Sequence, residues 1–404
     1  MDYKLENLFR NDLPGNFNEF DLVKNQWPRI QNVFNGNKLL PHEIIIHPTW
    51  TCNLRCKWCI GQNVETSNKE QVELQEKLND PNNMLKMLQN ICSSENEGVY
   101  FENGKQKKEI FKVNNISFSG LIGEPLIAKT AVLKGMEYLV NQNIRTGIFT
   151  NGLLMDSQAI DTMANINYVL ISIDAANNET YNFMKCSGLS QTEKRVDLIL
   201  KNIAQLNDEK LKIKSNLDIN VGFVVNEYNY KEIYKLASLL RKIGVHYLRL
   251  KFDIAIKHKL NNQQLDEVRN QILSVHNNLD NNYFKLIEIH RMSELISSDQ
   301  KRLFNTCFIN KIYAAIGPDA HLYACNYHAK EGGVRYGDVL NENFIDVWRN
   351  FNHCDVNLCP NVCDPFKNRA NNMLSELYNI YNLYGMDAIE EFRKKLKINQ
   401  GELL

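Results

Sequence analysis

The sequence carries no excess charge of either sign, with Lys plus Arg and Asp plus Glu both at 47 in 404 residues. A chain balanced in this way gives no electrostatic case for nucleic acid or an anionic membrane surface, unless a local basic patch supplies one. No apolar stretch approaches the length of a membrane span, and the first residues, Met1 to Glu6, lack the apolar core of a signal peptide. Both absences point to a cytoplasmic protein without a membrane partner, where thiols stay reduced and available to metal. Internal repeats and low-complexity tracts are missing too, and the 9 histidines form no set at metal-ligand spacing. His321 and His328, which flank Cys325, read as structural. What remains is an ordinary globular composition, 44% hydrophobic and 23% charged, in a chain long enough for one large core or two modest domains.

The 10 cysteines are unevenly placed. Cys52, Cys56 and Cys59 form a C-x3-C-x2-C run directly after an apolar strand. Cys307, Cys325, Cys354, Cys359 and Cys363 crowd the C-terminal part, and Cys92 and Cys186 stand alone. Such grouping suggests two metal sites rather than a disulfide framework. Three thiolates on one short loop can bind three irons of a 4Fe–4S cluster and leave the fourth open for chemistry. The other readings are three ordinary thiols or part of a zinc site, although zinc loops more often pair two C-x2-C units. Cys92 falls on the apolar side of a helix and reads as a packing residue.

Residues 1 to 40 contain the breakers Pro14-Gly15, Trp27-Pro28 and Asn35-Gly36 and read as a short capping extension. After Pro41, short apolar strands alternate with helical segments. The patterning predicts strands at 44–47, 115–119, 147–150, 168–173, 218–225 and 246–252. Six β/α units in series imply a parallel sheet, closed or partly closed as in a barrel, with the active site at the carboxyl ends of the strands. The cysteine loop leaves the first of those ends. Residues 60–112 are too long for one β/α connection; they predict a helix over 83–92 and a hairpin over 99–110 turning at Asn103-Gly104, an insertion placed over the mouth. Leu265, Val268, Ile272 and Val275 recur at helical spacing as a bridging helix, and 373–396 reads as an amphipathic helix packing back on the core. On the sixth strand Arg249, Lys251 and Asp253 alternate with Leu248, Leu250 and Phe252, so its polar face points into the barrel or into solvent.

The run Thr51-Cys52 to Cys59, with Trp58 before its last cysteine, resembles the cluster loop of the radical S-adenosylmethionine (radical SAM) enzymes. In that family the open iron is chelated by SAM, Trp58 would lie near the adenine, and reductive cleavage yields a 5′-deoxyadenosyl radical. Three later turns resemble the family in order. Gly120-Leu-Ile-Gly123-Glu124-Pro125 is similar to its "GGE" turn, with one residue more between the glycines, and would hold the SAM amino group. Alone, it reads as a plain β/α turn with a proline stop. Thr150-Asn151-Gly152 follows the third strand. Ser172 and Asp174 follow the fourth, two apart on one side of a strand; the resemblance gives them the ribose and methionyl parts of SAM, while the residues alone would also serve as a helix N-cap pair. The resemblance gives Arg249 a role at the SAM carboxylate or the substrate. Cys186 would return a hydrogen atom to a substrate radical, as in some radical SAM epimerases, or be a loop cysteine without a role.

The second thiol group, with Ile316 to Cys325, Gly337-Asp338 and Phe344 to Trp348 between its members, resembles the twitch module, a shortened SPASM domain holding one auxiliary 4Fe–4S cluster. The resemblance implies Cys307, Cys325, Cys359 and Cys363 as ligands, with Cys354 the alternate. Ala320 stands where the family has a glycine, which moves the hairpin turn to Gly317-Pro318. A structural zinc site is the other reading. The expected fold is therefore α/β: a partial (β/α)6 TIM-like barrel (41–260) after an extension (1–40), a bridging helix and loop (261–300), a small β-hairpin and helix auxiliary domain (301–370) and a C-terminal helix (371–404). The implied activity is a radical SAM oxidoreductase or epimerase reduced by flavodoxin or ferredoxin and acting on a sugar, aminocyclitol or nucleotide-sugar. A maturase of a ribosomally made peptide is the second reading, and a non-catalytic, metal-stabilised interaction protein is the rival from another class.

Overall fold

The computed structural model describes residues 19–63, 75–102, 104–253, 260–290, 302, 304–351, 355–359 and 363–401. Helices α1 (Glu19–Asn25) and α2 (Trp27–Phe34) precede strand β1 (Glu43–Ile46), and the short α3 (Ile60–Asn63) closes the cysteine loop. Helix α4 (Pro81–Ser93) and the hairpin β2 (Asn96–Glu102) and β3 (Lys105–Phe111) lead to β4 (Asn115–Phe118). Then come α5 (Lys129–Asn141), β5 (Arg145–Thr150), α6 (Ser157–Met163), β6 (Tyr168–Ser172), α7 (Asn178–Lys185), α8 (Arg195–Lys212), β7 (Asp218–Val225), α9 (Ile233–Lys242) and β8 (Tyr247–Phe252). The chain continues through α10 (Asn262–Asn278), β9 (Lys285–Glu288), β10 (Tyr313–Ile316), β11 (His321–Tyr323), β12 (Arg335–Asp338), α11 (Phe344–Asn350) and α12 (Pro365–Gly401).

All six predicted strands are present within two residues of their expected ends, as β1, β4, β5, β6, β7 and β8. They lie in that order in one ten-stranded sheet, β12-β11-β10-β1-β4-β5-β6-β7-β8-β9, which stays open. Every pairing from β10 through β1 to β9 is parallel; β11 alone runs against the rest, because β12, antiparallel to β11, returns to the common direction. The expected bridge over 261–300 is corrected: α10, started by an Asn261–Gln264 capping box, is a further crossover helix, and it delivers β9 as another parallel strand beside β8. A four-residue strand between asparagine-rich loops lacks the length that makes an apolar period readable.

The expected hairpin forms, but not over the mouth. Asn96 bonds both Leu40 N and Lys38 O, just before β1, so the hairpin sits at the amino ends of the strands, opposite the cysteine loop. Gln31 and Asn32 bond the backbone of Phe101 and Val99, covering one edge of β2 with side-chain amides. The N-terminal helices and α12 share a second small core, in which Leu22, Trp27, Ile30 and Phe34 pack with Phe308, Ile312, Leu374 and Leu377. Helix α12 begins at Pro365, earlier than 373, because Asp364 accepts from Lys367 N at 3.3 Å and proline suits the first helical turn. No helix among the described residues is long and apolar enough to cross a membrane.

Apolar burial is on the helix side of the sheet. Leu248 and Leu250 are fully buried there, while Arg249 and Lys251 point inward, as the alternation predicts. The inward residues of the other strands are mixed: the polar Glu43, Asn115, Arg145 and Tyr168 near the amino ends and Thr150 and Ser172 near the carboxyl ends stand among Ile45, Phe149, Leu170 and Val224. A mostly apolar interior with a few placed polar groups is the usual character of a ligand site.

Candidate active site

The loop carrying Cys52, Cys56 and Cys59 leaves β1 at its carboxyl end and is held as a short parallel bridge against the end of α7. Arg55 N donates to Lys185 O and Lys57 N to Met184 O, both at 3.0 Å. Leu54 N points at Cys52 Sγ from 3.4 Å. Burial pushes the Cys52 thiol up and Cys56 to about 12. Thiols so placed are inert as nucleophiles and ionise when a metal takes the proton's place.

The Gly120–Glu124 turn packs backbone to backbone on this loop. A Cβ on Gly120 would lie 1.8 Å from Gly123 O, and one on Gly123 would lie 2.0 Å from Thr49 O, so neither position has room for a side chain. Glu124 N donates to Thr51 O at 2.9 Å, Leu121 N to His47 Nδ1 at 3.2 Å, and Cys59 Sγ to Leu121 O at 3.8 Å. Glu124 is buried, and its carboxylate braces the next turn: Oε1 accepts from Thr150 Oγ1 (2.6 Å) and Leu126 N (3.2 Å), and Oε2 from Asn151 N (2.7 Å). Asn151 Nδ2 reaches Asn53 Oδ1 at 2.7 Å and so ties this turn to the cysteine loop.

Asp174 is not a helix cap; Asn177 caps α7. Asp174 takes a left-handed backbone (φ 61°), and its Oδ2 lies 2.6 Å from Lys185 Nζ, a buried ion pair that also gathers Ser172. Burial alone would lower Lys185, but Asp174 beside it holds the ammonium above its ordinary value. Sequence reading missed Lys185, which no motif marks. Cys52, Cys56, Cys59, Trp58, Gly120, Gly123, Glu124, Asn151, Ser172, Asp174 and Lys185 all line one cavity of about 310 Å³ at the carboxyl ends of the strands.

Two expected residues are elsewhere. Cys186 is fully buried at the end of α7, in the core rather than lining that cavity, because the bridge to Arg55 turns this segment into a support for the cysteine loop. Arg249 lies one strand residue pair deeper than Lys251 and lines a second cavity of about 770 Å³ nearer the amino ends; Lys251 lines the first. Burial lowers Arg249 to about 10.

The second cavity gathers Cys307, Cys325, Cys359 and Cys363 from four segments; Cys354 lies outside the described residues. Asn371 on α12 donates to Cys307 Sγ at 3.4 Å and accepts from Phe308 N and Ile309 N, fixing that loop. Burial pushes Cys307 up to about 11. Lys367, one helical turn after Cys363, is surrounded by Cys325, Asp364, Cys363 and Cys307; burial alone would lower it, and those neighbours hold it above its ordinary value. The hairpin turn uses both features noted in the sequence: Ala320 N closes on Gly317 O at 2.9 Å, and Ala320 itself takes the left-handed conformation (φ 64°) that a glycine would adopt without strain. Phe149 and Tyr327 line both cavities. Among the described residues no three His, Cys, Asp or Glu side chains stand close enough to share a single metal ion.

No family model matches the chain. A probable GTP 3′,8-cyclase of Saccharolobus islandicus is 27% identical over 143 residues, 35% of this chain and 42% of the relative. An S-adenosylmethionine-dependent nucleotide dehydratase of a Fibrobacter species is 25% identical over 189 residues, 46% of this chain and 48% of the relative. The chain thus spans less than half the length of these relatives. Among solved structures, Streptococcus suis SuiB bound to S-adenosylmethionine superposes with a TM-score of 0.55 at 14% identity, over 82% of this chain and 69% of that one. The anSMEcpe structure with bound AdoMet gives 0.50 at 16%, over 77% and 78%. The open, largely parallel α/β sheet with three cysteines at the end of its first strand thus shares its fold with these S-adenosylmethionine-bound structures, and part of the sequence is similar to the two relatives.

Proposed function

We propose that the chain is a radical SAM enzyme acting on a small polar substrate. The observation that carries this is the convergence of the three-cysteine loop, the Gly120–Glu124 turn, Asn151 and Ser172–Asp174 on one cavity. A 4Fe–4S cluster with SAM on its open iron would supply, on one-electron reduction, a 5′-deoxyadenosyl radical able to take a hydrogen atom from a substrate carbon. The residues fit that group. Cys52, Cys56 and Cys59 give three thiolates and no fourth from the same loop, and the side-chain-free Gly123 lets the glycine turn pack directly on the backbone of the segment that carries them. Trp58 gives an apolar wall, and Ser172 with the Asp174–Lys185 pair gives hydroxyl, carboxylate and ammonium groups at fixed positions. Cys307, Cys325, Cys359 and Cys363 fit a fully ligated auxiliary 4Fe–4S cluster, with Lys367 as its counter-charge.

A small polar substrate is supported by the charged and polar groups Lys251, His290 and Asp364 in the cavity wall and by relatives whose names refer to nucleotides. SuiB was also solved with its precursor peptide SuiA, but a likeness at 14% identity speaks for fold alone, so a peptide substrate is the second reading. The deciding experiment is anaerobic reconstitution with iron and sulfide, iron analysis, and assay of 5′-deoxyadenosine under dithionite. About eight irons per chain and reductive SAM cleavage are expected. Iron uptake without 5′-deoxyadenosine overturns the proposal in favour of a metal-stabilised interaction protein.

A further inference from the structure

The first cavity has a far wall that the SAM-side residues do not account for. It is made by Lys251 on β8, His290 just beyond β9, and Asp364, which directly follows Cys363. His290 is 3% exposed, and its ring is oriented by one bond: Phe252 N donates to Nδ1 at 3.1 Å. An Nδ1 that accepts carries no proton, so the neutral ring holds its proton on Nε2, which has no hydrogen-bond partner. Nε2 faces Asp364 Oδ2 across 3.8 Å, too far for a hydrogen bond. Oδ1 of the same carboxylate accepts from Lys367 N at the start of α12, which leaves Oδ2 aimed at the gap. The Asp364 side chain is 17% exposed, and it is faced by His290, Lys251 and Lys367.

A buried donor and a half-buried acceptor that face one another without touching are matched by a group that is both acceptor and donor. A hydroxyl is such a group. With bonds of ordinary length to both atoms, its oxygen would subtend roughly 90°, which an opening of about 0.6–0.8 Å would bring to the tetrahedral value. A backbone amide of a peptide offers its donor and acceptor on opposite sides and cannot span the gap at one atom. We infer that His290, Asp364 and Lys251 form a clamp for a substrate hydroxyl and its neighbouring oxygen, making vicinal-diol compounds such as sugars, cyclitols or nucleotide riboses the substrate class. The inference rests on the radical SAM reading of the cavity. His290 and Asp364 are specificity-determining residues in it, and they join the barrel to the segment bearing Cys363.

The test uses the reconstituted protein with SAM, titrated calorimetrically with UDP-glucose, myo-inositol, GTP and a serine- and threonine-free dodecapeptide. At least one of the three hydroxyl compounds should bind and the peptide should not. His290→Asn keeps an acceptor for Phe252 N but removes the Nε2 donor, and Asp364→Asn keeps the helix cap but replaces the charged acceptor. Each should weaken binding about 10- to 100-fold, the range for one hydrogen bond to a charged or buried partner. His290→Gln, which restores an Nε2 donor, should recover part of the loss. Iron content and the melting temperature report whether each variant is folded and loaded. Binding of none of the hydroxyl compounds, binding of the peptide instead, or equal affinity in the folded variants overturns the clamp. Absence of 5′-deoxyadenosine from the wild-type protein overturns the radical SAM reading instead, so the two failures are distinct.

Discussion

Replacing Gly123 by alanine tests whether the glycine turn and the cysteine loop form one rigid unit. The added Cβ would lie 2.0 Å from Thr49 O, 2.9 Å from Thr49 C and 3.2 Å from Thr51 O. These are backbone atoms, so no side chain can swing aside, and the two segments must part by about 1 Å to restore ordinary contact. Neither is free to move. Thr49 and Trp50 N are tied to Glu76 at 2.9 and 2.6 Å, and Glu124 N is tied to Thr51 O at 2.9 Å. We expect a loss of about 1–3 kcal/mol in stability from overpacking. A displacement of about 1 Å at a positioning element costs on the order of 100-fold in rate, so reductive SAM cleavage should fall by that factor. The control is Gly104→Ala in the β2–β3 turn. There φ is 73° and no atom lies within 4 Å of the new Cβ, so only backbone strain of about 1 kcal/mol applies, with cleavage unchanged. The assays are urea unfolding and the initial rate of 5′-deoxyadenosine formation. If Gly123→Ala matches the wild type in both, the close approach does not position the site.

Three further outcomes follow from the same geometry. Lys185→Met leaves Asp174 buried without its partner and should cost about 3–5 kcal/mol, whereas Lys185→Met with Asp174→Asn should recover much of it; urea unfolding of the two apoproteins decides. Burial pushes His47 down to about 4, so the unfolded chain takes up a proton as pH falls through 6.5 while the folded chain does not, and stability should drop by up to about 3 kcal/mol between pH 6.5 and 4. His47→Asn should show a shallower pH dependence in urea titrations across that window; an unchanged slope would refute the assignment. Ala320→Gly relieves the left-handed strain at φ 64° and should raise stability by about 0.5–1 kcal/mol despite the lost methyl contact, read as an upward shift in melting temperature.

The six strands over 43–252 were legible because each is apolar and bounded by turn residues, and the cysteine loop because its spacing is itself a ligand pattern. The turns at Gly120, Asn151 and Ser172 were legible for a related reason: in a parallel sheet every strand delivers its next residues to the same end. Local sequence therefore determined the architecture and the side of the sheet on which chemistry occurs. It did not determine β9, four residues whose strand character comes from pairing with β8. Nor did it determine the location of the β2–β3 hairpin, which depends on Gln31, Asn32 and Asn96 bonding across the fold. Lys185, His290, Asp364 and Lys367 carry no motif, and their significance comes from burial and from partners 11 to 74 positions away in the chain, as with Lys185 and Asp174 or His290 and Asp364. Cys186 shows the converse: a thiol in a suggestive place along the sequence is sealed into the core by the bridge that holds the cysteine loop. Spacing along the chain determines which atoms can ligate a cluster, whereas the distance between the His290 donor and the Asp364 acceptor exists only once the chain has folded.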